Sequence, residues 1–450
     1  MGNTLNYINA SIQAFSPIQV IGDKQVLATK YLKEHGFDFG KDEVWRFVDF
    51  SSYLTDNLDL PNENEKHEYD FVCNIPHLDT TRLTLFNGYV TDSDNMIVSP
   101  QGVIMGSIKE ALKHYSQQVA KYFATCNKKE NSFLAANTAL FTDGFFIYVP
   151  DNVVIEKPIQ ILDVIKSQIP LFLQTRNLIY VGKNSRITLI HCDDSCNQNR
   201  SFSNNVTEIY IDQDAHVEHY KMQNMNNNSG LMNHNYILMQ QGASLLSNSI
   251  SLNGGNIRNH NEVRMLGEHC DAQVHGLYLM DKEQKMDNYV YVEHAFPNCT
   301  SSELFKGILD DSAHATFNGH VLVCEHATKT DASQSNKNIL LTDKATVDSK
   351  PFLEIYNDDV KCSHGSTIGQ LDETALFYIC SRGISERTAK TLLMYAFCDE
   401  VIQKIAITAL AERLSDMVKK RLHGELTVCD ECALHCSVPD CKFDIDITKL

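Results

Sequence analysis

The sequence predicts a mainly β protein organised around a parallel β-helix. From Phe145 to about Leu341, pairs of short apolar runs flank polar or glycine turns, and this theme recurs roughly every 20 to 30 residues, the range of solenoid coils. Asn, Asp and Ser interrupt the apolar runs, proline is sparse at 10 and tryptophan occurs once, which favours many short strands with tight turns. An antiparallel sandwich would also give short strands with turns, so it stays as the competing architecture.

Length, charge and cysteine content narrow the class of protein. The 450 residues can bury one large elongated core or form several ordinary domains. The formal charge of −18 argues against nucleic acid or an anionic membrane as the main partner. The 14 cysteines, without an N-terminal apolar segment of the signal-peptide type, predict a reducing cytosol. The sequence also lacks an uninterrupted apolar run of about 18 residues, so we expect no membrane-spanning helix.

Residues 1–136 predict an N-terminal region of mixed helices and strands. Apolar residues at helical spacing, Leu27 among them, predict a helix that ends at Gly36. Short strand-like runs follow, with a tight turn at Asn87–Gly88. A boundary is expected near Asn137, where no Gly/Ser linker occurs, so the neighbouring regions should pack closely.

Residues 137–383 predict the β-helix core, with strands that continue to about residue 380. One coil of such a repeat cannot bury its apolar side alone. Stacking on neighbouring coils at about 4.8 Å supplies both the hydrogen-bond ladder and the core. A parallel β-helix is the natural solution for this pattern.

Residues 384–424 predict a C-terminal helical region. Ser385 is a suitable N-cap, apolar residues including Leu410 recur at helical spacing, and Lys419–Arg421 complement the carbonyl end before Gly424. The length of about 40 residues indicates two helices. Their apolar face either packs on the strands or receives another protein.

The segment around residue 360 carries the most informative pair of side chains. Two apolar or β-branched runs, Pro351–Tyr356 and Val360–Ile368, flank the polar residues Asn357–Asp359, which predicts two strands joined by a turn. In a strand, Cys362 and His364 would point to one side, roughly 7 Å apart along the chain. A thiol and an imidazole suit iron, zinc or an iron–sulfur cluster. Such centres usually take four ligands, so the others would come from elsewhere in this chain or from a partner.

The alternative for this pair is structural. A Cys-x-His pair in an arbitrary chain is often a packed thiol beside a hydrogen-bonded imidazole. Spacing alone does not separate the two interpretations.

Residues 425–450 form a cysteine-rich tail with the spacing C-x₂-C-x₃-C-x₄-C. Four thiols so close together can hold zinc or a small iron–sulfur cluster, and the reducing compartment disfavours disulfides. A reduced tail without metal and a tail that scavenges iron or accepts sulfur are the alternatives. The four cysteines are Cys429, Cys432, Cys436 and Cys441.

Several runs of this sequence resemble the signatures of the SufB/SufD family of iron–sulfur cluster assembly proteins. The resemblance covers roughly Trp45 to Phe397 in order. Its VKCSHGSTIG and FYICSRGI segments are similar to the SufD branch of that family. The other runs that carry it are GFFIYVPDNVVIEKPIQI, QKMDNYVYVEHAFPNCTS and HATFNGHVLV.

The resemblance implies a right-handed parallel β-helix between an N-terminal and a C-terminal helical region. It implies a heterodimer with a SufB subunit through strands near the end of the β-helix, and docking of the ATPase SufC on the C-terminal helices. It also implies that His364 lies at the SufB interface and contacts a nascent cluster shared with the partner. Cys362 matches the neighbouring cysteine of the motif.

Three functions are compatible with these features. The first is a non-catalytic scaffold subunit for cluster assembly, because the sequence lacks the G-x-x-x-x-G-K-[ST] phosphate loop and would depend on a partner ATPase. The second is a carbohydrate-active β-helix enzyme that uses Asp358 and Asp359, although neighbouring side chains point apart. The third is a structural homodimer without a cluster.

Overall fold

The computed structural model describes residues 4–37, 43–47, 49–64, 73, 75–91, 96–127 and 129–423. The helices are α1 (Thr4–Gln13), α2 (Gly22–His35), α3 (Ser51–Thr55), α4 (Ile108–His114), α5 (Ser116–Tyr122), α6 (Ser132–Leu140), α7 (Glu373–Ser381), α8 (Glu386–Ile402) and α9 (Thr408–Leu422), with a 3₁₀ turn at Glu43–Trp45. The strands are β1 (Thr81–Phe86), β2 (Tyr89–Val90), β3 (Ile97–Val98), β4 (Ile104–Ser107), β5 (Phe145–Val149), β6 (Ile159–Ile165), β7 (Leu171–Val181), β8 (Arg186–Ser195), β9 (Ser201–Ile211), β10 (His216–Asn224), β11 (Gly230–Met239), β12 (Ser244–Asn253), β13 (Asn256–Met265), β14 (Asp271–Met280), β15 (Lys285–His294), β16 (Thr300–Leu309), β17 (His314–Val323), β18 (Asp331–Leu340), β19 (Thr346–Ile355) and β20 (Lys361–Gly369).

The strands form two ten-stranded sheets that alternate along the chain. Sheet A begins with β3, β4 and β5 and continues through the odd-numbered strands to β19. Sheet B begins with β2, β1 and β6 and continues through the even-numbered strands to β20. From β5 and β6 onward, each strand pairs in parallel with the strand one coil away, as Asp331 does with Lys361, 30 residues further on. The predicted β-solenoid is therefore confirmed, and these strands do not form an antiparallel sandwich.

The core of the solenoid lies between the two sheets. Alternate residues of each strand point inward, so aliphatic side chains such as Leu189 and Ile209 stack in columns and are completely buried. Each inner coil has apolar neighbours above and below it. This stacking explains why the repeat of strands and turns could be recognised without a repeated sequence.

The two ends of the solenoid differ. At the N-terminal end, β1 turns back on β2 through the predicted Asn87–Gly88 turn, and β4 pairs antiparallel with both β3 and β5. Both turn residues have positive φ, which Asn and Gly tolerate best. Since β1 pairs in parallel with β6, the solenoid takes in a strand from the predicted N-terminal region, and the boundary predicted near Asn137 falls inside α6.

Helices cover the outer face of each sheet. The N-terminal helices pack on sheet A through an aromatic cluster that includes Phe133 and Phe202. The two predicted C-terminal helices, α8 and α9, pack on sheet B through Val401, Leu410 and their neighbours. The Lys306 ammonium of β16 fixes α8 further, since it donates to the Phe397 carbonyl oxygen at 2.9 Å and pairs with Glu400.

The expectation that strands continue to about residue 380 is wrong. The last strand ends at Gly369, and residues 373–381 form helix α7. The Asp372 carboxylate accepts hydrogen bonds from the backbone N–H groups of Thr374 and Ala375, at 2.8 and 3.1 Å, and so caps this helix. Gly383, with a φ of 90°, follows the end of the helix.

Candidate functional site

The last coil of the solenoid, formed by β19 and β20, carries the predicted ligand pair. Within the described part of the chain, β19 pairs only with β17, and β20 pairs only with β18. One edge of each strand therefore has backbone N–H and C=O groups without a neighbouring strand. The hairpins that close the N-terminal end have no counterpart among the described residues here, so we call this the open end.

Cys362 and His364 both lie in β20, as predicted. Their partners in β18 are Ala332 and Gln334, which are buried and face the interior of the solenoid. The register therefore places Cys362 and His364 in inward-facing columns. His364 is nevertheless exposed, because none of the described residues forms a further coil on β20. The structure thus brings the thiol and the imidazole to one side of the same strand, at the open end.

The environment of Cys362 favours the neutral thiol. Its side chain is half-buried against a small apolar cluster that contains Val321, Ala327 and Ala332. Desolvation raises the pKa of the Cys362 thiol, although the backbone N–H of Ala332 opposes this shift. A thiol with a raised pKa is a poor nucleophile, so its thiolate would form only when a metal ion displaces the proton.

Two polar side chains below His364 were missed by the sequence analysis. Gln334 and Glu303 occupy the same inward column, one and two coils into the solenoid, and both are buried. The Gln334 Nε2 group donates to Glu303 Oε2 at 2.7 Å. Desolvation raises the pKa of Glu303 to about 8, so this carboxyl group is neutral at pH 7. A sequence pattern could have found the pair only if the coil length, and hence the register, had been known.

Apolar side chains are exposed around the open end. Exposed apolar side chains beside open strand edges suit association with another protein. Phe377 of α7 is 76% exposed. The other large apolar residues exposed in this part of the chain are Phe352, Ile355, Tyr356, Ile368 and Tyr378.

A second polar cluster lies deep inside the solenoid. Potential ligand atoms of Asp163, His191 and Asp193 lie within 4.8 Å of one another. The Lys221 ammonium lies among them and donates to Asp193 Oδ1 at 2.9 Å. Burial lowers the pKa of His191 well below its usual value and raises the pKa of Asp163 to about 7. Because a lysine already supplies a positive charge here, the cluster acts as an internal ion pair.

Other candidates from the sequence lie elsewhere. Asp358 and Asp359 lie in the turn before β20, and Asp359 Oδ1 pairs with Lys329 Nζ at 2.9 Å. The tail with Cys429, Cys432, Cys436 and Cys441 lies outside the described residues.

The architecture defines a β-solenoid protein with helices on the outer face of each sheet and a thiol–imidazole pair at its open end. Residues 164–397 match the family model described as SUF system FeS cluster assembly, SufBD core domain. Residues 9–161 match the model described as SufBD protein N-terminal region. The chain therefore belongs to the SufBD family, which takes part in iron–sulfur cluster assembly, and the predicted resemblance is confirmed.

Three relatives illustrate this membership. A SufBD family iron–sulfur cluster assembly protein of Synechocystis is 30% identical over 399 residues, which cover 85% of this chain and 86% of that protein. The SufD protein of Bacillus subtilis is 26% identical over 389 residues, 84% of this chain and 88% of the relative. The SufD protein of Escherichia coli is 34% identical over 249 residues, 55% of this chain and 59% of the relative.

Proposed function

We propose that this chain is a non-catalytic scaffold subunit that builds and transfers nascent iron–sulfur clusters together with a SufB-type subunit and a SufC-type ATPase. The observation that carries the proposal is the position of His364, which lies in an inward-facing column of the last strand and is exposed because no described coil is stacked on that strand. The open strand edges and the exposed apolar residues beside them suit association with another subunit.

The cluster or its iron is the substrate of this site. His364 in its neutral form would offer one nitrogen lone pair, and Cys362 would be a secondary thiol that loses its proton on metal binding. Two ligands leave a centre of four incomplete. The remaining ligands would therefore come from the partner, so that a cluster forms only when the two proteins meet.

The ATPase would act through the C-terminal helices. The sequence lacks the phosphate-binding loop of such ATPases, so ATP hydrolysis would take place in the partner. Helix α8 connects directly to sheet B, since the Asn248 amide donates to the Val401 carbonyl oxygen at 3.1 Å and Lys306 donates to that of Phe397. Helix α9 does so through Arg421, whose Nε donates to the Leu252 carbonyl oxygen at 2.8 Å. A pull on these helices would reach the strands of the solenoid.

The proposed location is the cytoplasm. The described helices include none that is both long and apolar enough to cross a membrane. The abundance of cysteine thiols agrees with a reducing compartment.

The substitution His364→Ala tests the site. The chain is co-expressed with its SufB-type and SufC-type partners, and the iron and acid-labile sulfide bound per purified complex are measured. We expect the complex to assemble normally and its cluster content to fall roughly tenfold or more, because even the loss of an outer partner of a metal ligand costs 10- to 100-fold. The matched control is His326→Ala, an exposed histidine in the turn after β17. Normal cluster content in the His364 variant would refute the assignment of His364 as a cluster contact. A chain that forms a stable homodimer and binds neither partner would favour the structural homodimer.

The cysteine-rich tail is proposed as a separate zinc or iron site. Removal of residues 425–450 should lower the bound metal by about one ion per chain, since four thiolates complete a tetrahedral centre. Elemental analysis of the full and shortened chains measures this difference. Equal metal content would eliminate the tail site without affecting the proposal for His364.

A further inference from the structure

Three side chains form one column that leads from the interior of the solenoid to the open end. Glu303 of β16 pairs with Gln334 of β18, and Gln334 pairs with His364 of β20. Directly paired residues in neighbouring strands lie about 4.8 Å apart, so long side chains in one column reach each other. Gln334 therefore lies between a buried carboxyl group and the exposed imidazole.

Close packing holds the Gln334 side chain in place. Gln334 Nε2 donates to Glu303 Oε2 at 2.7 Å, which fixes the direction of the amide group. A Cβ atom added at Gly319 of β17 would lie 2.3 Å from Gln334 Nε2, so only glycine leaves room for this arrangement. The amide nitrogen is thus committed to Glu303, and the carbonyl oxygen is the group left over.

The Gln334 carbonyl oxygen has an unused hydrogen-bonding capacity. Gln334 Oε1 is buried and has no hydrogen-bond partner among the described residues, and the same holds for Glu303 Oε1. An amide oxygen accepts two hydrogen bonds, so a donation from the neutral Glu303 carboxyl group would still leave one lone pair of Gln334 Oε1 free. The adjacent column differs, because Asn336 Oδ1 accepts from Ser349 Oγ at 2.8 Å, and Ser366 Oγ donates to Ser349 Oγ at 2.7 Å. A buried carbonyl oxygen without a donor costs free energy, and the nearest side chain further along its own column is that of His364.

We propose that Gln334 is a positioning residue for His364: its Oε1 atom accepts the N–H of one ring nitrogen and so directs the lone pair of the other towards the partner subunit. Glu303 acts one step deeper, because it orients the Gln334 amide. Metal-binding histidines commonly donate their second ring N–H to a carbonyl or carboxylate oxygen in this way. The inference rests on the proposed function of His364 and adds the residues that prepare it.

The test uses the full chain labelled with ¹⁵N-histidine, without partners or metal. Long-range ¹H–¹⁵N NMR spectra at a pH where His364 is neutral report which ring nitrogen carries the proton, and His364→Ala assigns the signals. We expect a single tautomer in the wild type and a mixture in Gln334→Leu. The exchange variant Glu303→Gln with Gln334→Glu should restore the single tautomer. In this variant the carboxylate at position 334 presents an oxygen to His364, and the amide N–H at position 303 donates to that carboxylate.

A second readout is the affinity for Fe²⁺ of the complex with the SufB-type partner. Gln334→Leu should weaken it roughly 10- to 100-fold. Ser333→Ala is the matched control, since this exposed neighbour points to the opposite side of β18.

Each outcome decides the inference. A tautomer mixture in the wild type would overturn it even if Gln334→Leu did not fold, and so would a Gln334→Leu variant that folds and keeps the single tautomer. Failure of the exchange variant to restore the tautomer would also contradict it. If instead the tautomer behaves as expected while His364→Ala leaves cluster content unchanged, the proposed function fails and the hydrogen bond stands.

Discussion

At the scale of residues, strand alternation decides which side chains meet. The spacing of Cys362 and His364 was enough to predict that both point to one side of a strand. It could not reveal that this side faces the solenoid interior, because that depends on the pairing of β20 with β18. Because strand pairing is not known from the sequence, Glu303 and Gln334 could not be placed near His364, which they precede by roughly 60 and 30 residues. Their proximity follows from the coil length alone.

The buried Glu303 should make stability depend on pH. Its pKa is raised from 4.5 to about 8 in the folded chain, so between these values the folded state keeps a proton that the unfolded state has lost. Stability should therefore fall as pH rises through this window, by up to about 1.4 kcal/mol per pH unit. Glu303→Gln, which cannot ionise, should remove this contribution.

Thermal unfolding of the wild type and Glu303→Gln from pH 5 to pH 9 measures the effect. The melting temperature of the variant relative to the wild type should rise with pH up to about 8 and then level off. A constant difference across the whole range would show that Glu303 ionises normally in the folded chain.

At the scale of elements, long periodic patterns predict helices and strands better than they predict where the strand region ends. The solenoid repeat and the two C-terminal helices follow from periodicity over many residues, whereas the short apolar segment that forms α7 resembles a continuation of the strands. The segment around Phe377 is apolar and resembles a strand, but the Asp372 carboxylate caps its first turn and so favours a helix. Local capping overrode the apparent strand pattern.

The C-terminal helices should depend on their apolar contact with sheet B. Leu410 of α9 is completely buried in this contact, so Leu410→Ala should cost about 2–5 kcal/mol of unfolding free energy. Leu27 of α2, which the sequence placed on an apolar face, is 67% exposed in the structure, and Leu27→Ala should change stability by less than about 0.5 kcal/mol. Chemical denaturation measures the unfolding free energy of both variants. Equal losses in Leu410→Ala and Leu27→Ala would contradict the packing described for α9.

At the scale of the whole molecule, the two ends of the solenoid differ, and the open end is the one that suits association with a partner. Antiparallel strands close the N-terminal end, whereas in the described part of the chain the last coil has unpaired edges, exposed apolar residues and the thiol–imidazole pair. A sequence predicts the stack of coils, because stacking is local and repetitive. Which end stays open depends on what precedes the first coil and follows the last, and these segments lack the repeat. The family resemblance predicts that a partner binds the strands near the C-terminal end of the solenoid.

Hydrogen–deuterium exchange of the chain alone and in complex with its SufB-type partner tests the central claim most directly. In the free chain, backbone amides on the open edges of β19 and β20 should exchange rapidly, because none of the described strands accepts their hydrogen bonds. Partner binding should protect residues 346–369 and leave the closed end, residues 81–90, unchanged. Partner binding that protects other surfaces while residues 346–369 continue to exchange rapidly would contradict the account.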